Sequence, residues 1–455
     1  MEVGMVRQLA SYDPSNGKLL GEVQVISPEK VADLVTRAQA AARSWRNLDA
    51  TNRVSILEKA YVQAQSRTNE LAVLLSREMG KDIRRSTGEV NWVIHGGPQM
   101  ARTVREALQP RTIGRGLRLE YTPLGVVAVI SPWNYPLAMA NNFIVPSLVA
   151  GNSVVFKPSE ETPLIAQAFV DILNESLPQH LLQLVHGDGE QGQALVESDV
   201  NMIAFTGSQS VGKQIMARAS GQLKRLVMEL GGNDPMIVLH DADIERAARF
   251  AVANSFENAG QMCVSTERIY VDAQIATRFE QRVTELASCY KVGPWDMADV
   301  NVGPIINARQ HQKIVEHIHD AEAKGARVLL GGSEQPERYI NPTVICDMTP
   351  DMLLEQEETF GPVLAISRYT DIGEAVQRAN ASTYGLGAVV FGGREAEAVA
   401  SQLEAGMIGI NQGVGGGGDA PWVGAKQSGF GFHGSPDGHR QFAQVRVVSS
   451  SAVEK

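Results

Sequence analysis

Residues 28–46 place Val31, Leu34, Val35, Ala38, Ala42 and Trp45 at helical spacing, with Ser27 as N-cap and Pro28 in the first turn. Residues 52–79 continue the helical pattern. From residue 124 the texture changes. LGVVAVI, SVVFK, LLQLV, MIAFTG, RLVMEL and MIVL are short apolar runs rich in branched side chains, and helix-like segments (137–150, 162–175, 189–197, 209–220) lie between most of them. Strands alternating with helices predict parallel βαβ units and a sheet covered on both faces, hence an α/β fold. A second alternation runs from about 236 to 430 through ERIYV, RVLLGG and GAVVF, and GLRLEYTP and the tail FAQVRVVSSS read as further strands. QGVGGGGDA (412–420) is too rich in glycine for either element.

Composition narrows the classes. The chain has 455 residues, enough for two or three domains at roughly 100–200 residues each. Hydrophobic content of 44% and charged content of 20% read as a globular protein. A net charge of −10 leaves no basic footprint for nucleic acid. No apolar run reaches the ~18–20 residues of a membrane helix, and the N-terminus lacks a basic-then-apolar leader pattern, so a cytoplasmic location is expected. Cys263, Cys289 and Cys346 form neither a disulfide framework nor a CxxC pair. His317 and His319, two apart on a helix-like stretch, face different ways, so no metal is expected. No G-x-S-x-G elbow is present.

Several short motifs combine reactive side chains with stiff or open backbone. SFENAGQMCVS sets Cys263 after a Gly-Gln pair; it is either a small buried hydrophobe or a nucleophile. SPWNYP holds Asn134 between two prolines, either as a satisfied loop residue or as an oxyanion donor. VVFKPSEETP ends a strand with Lys157 and Glu160, where open α/β sheets bind ligands; a solvated loop is the alternative. AFTGSQSVGK places Gly207 and Gly212 between a strand and a helix, matching neither the dinucleotide fingerprint nor the full P-loop. MELGGNDP puts Glu229 at a strand end, as a general base or a surface acid, and EETFGPV adds Glu358 and Phe360.

In this order and spacing the motifs, together with NQG…PWVGAKQSGFG, resemble the NAD(P)-dependent aldehyde dehydrogenase superfamily over essentially the whole chain. The resemblance implies a Rossmann-like cofactor domain (1–104 and 124–230), an α/β catalytic domain (231–439) and an oligomerisation arm (105–123 and 440–455), assembled as a homodimer or homotetramer. It implies Cys263 as nucleophile, Asn134 and the Cys263 N–H as oxyanion donors, and Glu229 as the base that activates the hydrolytic water. For NAD, with NADP possible, it implies Lys157, Ser159 and Glu160 at the adenosine ribose and Trp133, Gly207, Ser208, Gly212 and Leu230 along the dinucleotide. Glu358 would meet the nicotinamide ribose, with Phe360 near the ring. Tyr135, Met139, Asn142, Met262, Val264, Gly416 and Trp422 would form the substrate pocket.

The chain departs from the family at two places. Phe143 and His433 stand where many members carry a lysine and a glutamate thought to relay protons from the base. That route is therefore absent or rebuilt around His433. The glycines at 415–418, and Asn142, stand where members often place aromatics. A wide pocket is expected, suited to an aromatic or bulky aldehyde, with a carboxylated semialdehyde as the alternative. A CoA-acylating relative is a further alternative that Glu229 argues against, since that route needs no water-activating base.

Overall fold

The computed structural model describes residues 7–415 and 419–450. Two mostly parallel sheets organise it. The first runs in the order Gly429–Phe430, Arg225–Glu229, Met202–Thr206, Val126–Ile130, Ser153–Lys157, Leu182–Leu184. All its pairings are parallel except that of Gly429–Phe430 with Arg225–Glu229. The branched runs are buried throughout in Val126–Ile130 and Ser153–Lys157 because helices cover both faces. Side-chain alternation divides the strands: Val127, Val129, Val154 and Phe156 face one core with Leu137, Ile144 and Phe169. Val126, Ala128, Val155 and Ile203 face another with Val31, Val35 and Ile215.

The second sheet has seven strands in the order Arg327–Leu330, Thr343–Cys346, Val363–Tyr369, Thr266–Asp272, Asp234–Val238, Gly387–Phe391, Met407–Ile410. Only Arg327–Leu330 is antiparallel to its neighbour. The chain crosses between the sheets in one short step, leaving the first at Glu229 and entering the second at Asp234. Arg268 clamps that crossing, donating from Nε (3.0 Å) and Nη2 (2.8 Å) to the Asn233 carbonyl.

A three-stranded antiparallel sheet joins Arg111–Gly114, Leu117–Pro123 and Ala443–Ser449. Buried Asn152 ties it to the first sheet: its Oδ1 accepts from Leu124 and Gly125 N–H, and its Nδ2 donates to the Phe442 carbonyl at 2.8 Å.

The helix pattern read over 52–79 is two helices, Ala50–Gln65 and Thr68–Met79. No glycine or proline breaks it. The hydroxyls of Ser66 and Thr68 bond the carbonyls of Gln63 and Gln65, offering the backbone an alternative to the helical ladder. Among the described residues, no helix is long and apolar enough to cross a membrane.

Candidate active site

A cavity of about 690 Å³ opens between the two sheets, within the range of small-molecule and cofactor sites. Its wall includes Cys263, Asn134, Lys157, Gly207, Glu358 and Trp422.

Cys263 follows an unusual backbone. Asn258 (φ 51°), Ala259 (φ 58°) and Gly260 (φ 72°) are all left-handed, and a Cβ on Gly260 would lie 2.0 Å from the Gly361 carbonyl oxygen. Gln261, buried, locks the turn: its Nε2 donates to Asn258 O (3.0 Å) and its Oε1 accepts from Ile306 N–H (3.0 Å). The Gln261 carbonyl in turn accepts from Asn134 Nδ2 at 3.0 Å. That bond uses one amide proton and orients the other, so Asn134 retains a donor on the cavity wall beside Cys263.

Cys263 is partly exposed to the cavity. Burial, then the nearby carboxylates of Glu229, Asp234 and Glu358, push its thiol well above the ordinary range. In the second sheet's first strand, Asp234 is fully buried and pushed up to about 8 by burial. Glu358, partly exposed on the cavity wall, is pushed up to about 7 by the same cause, although its Oε1 accepts from Gly232 N–H at 2.9 Å. The double glycine is required here. A Cβ on Gly231 would sit 2.4 Å from the Glu358 carboxylate, and one on Gly232 would sit 2.3 Å from the Cys263 carbonyl oxygen.

Glu229, at the end of its strand, is 6% exposed and lies behind the cavity wall. Its Oε1 is 2.6 Å from His433 Nε2, and its Oε2 is 3.5 Å from Thr206 Oγ1. The indole of Trp422 stacks on the imidazole (centroids 6.4 Å, 16°), and Phe143 meets it edge-on (5.7 Å, 90°).

The far end of the cavity fits a dinucleotide. Lys157 is buried, with Nζ bonded to the Pro158 carbonyl (3.0 Å) and 3.7 Å from the half-exposed Glu160 carboxylate. It is a buried cation whose acidic neighbours are Glu160 and Asp188, facing a concave wall that Ser159, Gly207 and Ser208 share. Ser208 is the N-cap of helix Gln209–Ala219 and so sits at the helix end that favours anions. Trp133 and Phe360 meet edge-on at 5.5 Å on the wall.

Most of the sequence-level site residues therefore share one wall: Trp133, Asn134, Tyr135, Met139, Ser159, Glu160, Leu230, Met262, Val264 and Trp422 are on it with those above. Besides Glu229, which sits behind the wall, two differ from expectation. Gly212 does not reach the cavity; a Cβ there would lie 2.7 Å from Leu230 Cδ2, so its role is close helix–strand packing. Asn142 does not face the substrate space; it is 5% exposed, with Nδ2 3.5 Å from His433 Nε2. Gly416 lies outside the described residues. Cys346 is buried in its strand, whereas Cys289 is exposed and only caps a helix end.

Sequence reasoning missed the groups that hold this wall. Glu267 Oε2 accepts from Thr359 N–H (2.6 Å) and Oε1 from Phe360 N–H (2.8 Å), fixing the loop in which Phe360 has φ 57°. Buried Glu89 accepts from Leu137 and Ala138 N–H at 3.0 and 3.1 Å, capping the helix that follows Asn134 and Tyr135. Lys81 Nζ pairs with Glu89 at 2.7 Å and stands 3.7 Å over the Tyr135 ring. Burial lowers the Lys81 ammonium from its ordinary range, and Glu89 opposes that. The signal was present: Glu89 sits on the apolar stripe Ser86, Val90, Val93, Ile94 of its helix, where a lone charge needs a partner.

The profile of the Aldehyde dehydrogenase family matches residues 3–448. A probable succinate-semialdehyde dehydrogenase [NADP(+)] of Sinorhizobium fredii is 37% identical, over 98% of this chain and 93% of that protein. The 3-sulfolactaldehyde dehydrogenase of Pseudomonas putida is 33% identical, over 98% and 94%. The crystal structure of an NAD-dependent aldehyde dehydrogenase from Sinorhizobium meliloti superimposes with a TM-score of 0.94 at 30% identity, covering 99% of this chain and 92% of that one.

Lys81→Met leaves the Glu89 carboxylate buried and unpaired and should cost about 3–5 kcal/mol of stability. The double variant K81M/E89Q keeps an acceptor for the two N–H groups and should recover most of that loss in thermal melts. Equal destabilisation of both variants would mean that the ion pair is not what holds this wall.

Proposed function

The chain belongs to the aldehyde dehydrogenase family, and on that premise we propose that it oxidises a short aldehyde carrying an anionic tail, of the semialdehyde type. One observation carries the tail: the relatives at 37% and 33% identity are named for succinate semialdehyde and 3-sulfolactaldehyde, aldehydes bearing a carboxylate and a sulfonate. This favours the semialdehyde alternative over an aromatic substrate. The aromatic reading keeps its own support, since Trp422, Tyr135, Met139 and Met262 are on the cavity wall with Cys263.

The chemistry follows from the side chains. Cys263 Sγ, as thiolate, adds to the aldehyde carbon, and the Asn134 amide donates to the oxygen as it gains negative charge. An oxidised nicotinamide dinucleotide, when bound, supplies the hydride acceptor. Loss of hydride leaves a thioester on Cys263. Glu229 takes a proton from water, the hydroxide adds to the thioester carbonyl, and the carbon–sulfur bond breaks to give the acid and the free cysteine. Glu229 must turn from behind the wall toward the cavity to do so, and Thr206, which lines the cavity 3.5 Å from its Oε2, marks the side it turns to.

Exposed Ile113, Leu117, Val445 and Val447 on the three-stranded sheet support assembly of the subunits through that sheet.

The substrate reading is tested by kcat/KM for succinate semialdehyde, butanal and benzaldehyde. Succinate semialdehyde should lead by at least about tenfold, the ratio that ~1.4 kcal/mol of differential transition-state binding produces. Benzaldehyde matching or exceeding it would replace this reading with the aromatic one.

For the cofactor we expect NAD to be preferred. The Glu160 carboxylate beside Lys157 accepts hydrogen bonds from free ribose hydroxyls and repels a 2′-phosphate. NAD should exceed NADP in kcat/KM, and Glu160→Gln should narrow the gap. Equal or better use of NADP by the unmodified protein would overturn the expectation.

A further inference from the structure

We propose that His433 is a positioning residue that works through Glu229: the two side chains form a buried dyad in which the imidazole takes over the proton that the carboxylate removes from the hydrolytic water. The inference rests on reading Glu229 as that base. His433 Nε2 lies 2.6 Å from Glu229 Oε1, with both side chains 7% exposed; the contact is close but not aligned as a hydrogen bond, and Oε1 has no other partner. Every other neighbour of the ring is neutral or holds no proton to contest: Asn142 Nδ2 at 3.5 Å, the stacked indole of Trp422 and the edge of Phe143. The other titratable groups facing the pair are Cys263, whose thiol the Glu229 charge pushes up, and His439 on the following helix. His439 is lowered to about 4, by burial first and then by the charge of His433.

The chemistry favours transfer in one direction. A free imidazole binds a proton about two pH units more tightly than a free carboxylate. His433 Nδ1 is buried without a protein partner, so no second bond fixes the tautomer. The Nδ1–H form presents the Nε2 lone pair to Glu229. Turned to the cavity, Glu229 takes a proton from water as hydroxide adds to the thioester carbon; the carboxyl then swings back to His433, its proton passes from Oε1 to Nε2, and the carbon–sulfur bond breaks. The product is an imidazolium–carboxylate pair, which leaves Glu229 ionised and returns its proton to cavity water after the acid leaves. Trp422 stacked on the imidazole and Phe143 packed edge-on against it limit how far the ring can move.

The test isolates deacylation. p-Nitrophenyl acetate acetylates Cys263 with loss of nitrophenolate; the acetyl-enzyme is desalted, and its decay is followed by mass spectrometry from pH 5 to 9, in the full-length protein. His433→Gln should slow decay at the plateau by at least about tenfold and move the acid inflexion of the coupled pair to lower pH. His433→Asn should do the same. Glu229→Gln should slow decay across the whole range. A His433 variant with a lower plateau but an unchanged inflexion would reduce the residue to packing and overturn the dyad, as would unchanged decay. If Glu229→Gln decays at the normal rate, the general-base reading fails instead.

Discussion

The site is built around a concentration of acidic groups shielded from solvent. Cys263, Glu229, Asp234 and Glu358 converge where the chain passes from one sheet to the other, and Glu267 lies buried beside Glu358. Burial and mutual repulsion hold the cysteine as a thiol and push Asp234, Glu358 and Glu267 upward. A fold does not gather such groups for stability, since ionising each of them costs more here than in water. The arrangement makes sense as a socket for positive charge: an oxidised nicotinamide ring is cationic, and its charge favours the thiolate that the carboxylates oppose.

The backbone geometry serves that convergence. Gly231 and Gly232 let the crossing segment pass within reach of Glu358 and the Cys263 carbonyl, where any side chain would collide. Three successive left-handed residues and the Gln261 lock turn Cys263 toward Asn134. Opposite them, His433 is the one base in contact with the Glu229 carboxylate among the described residues, and it arrives on a short strand paired with Trp422–Val423. Cys263, Asn134 and Glu229 thus come from separate elements that meet only in the folded chain.

Much of this was legible in the sequence. The branched runs near 126–130, 153–157 and 387–391 became buried parallel strands almost residue for residue, because both faces of each are covered and no alternation was needed to identify them. The reactive motifs pointed to Cys263, Asn134 and Glu358 because stiff or glycine-rich backbone around a functional side chain leaves a pattern. What stayed hidden depends on long-range pairing. The hairpin of Gln8–Tyr12 with Leu19–Gln24 is half exposed and weakly patterned. Lys81 and Glu267 look like surface charges until their partners are known. Asn142 read as a pocket residue, yet a neighbouring helix turn carries it to His433.

The central claim is that burial, reinforced by the neighbouring carboxylates, keeps the Cys263 thiol protonated in the cofactor-free protein. Its most direct test is the pH dependence of Cys263 alkylation by iodoacetamide, read on the Cys263 peptide by mass spectrometry so that exposed Cys289 does not contribute. The account predicts a rate still climbing above about pH 9, past the ~8.5 of a free cysteine. A rate that levels off below about pH 8 would mean the thiol ionises readily without help, and would contradict it.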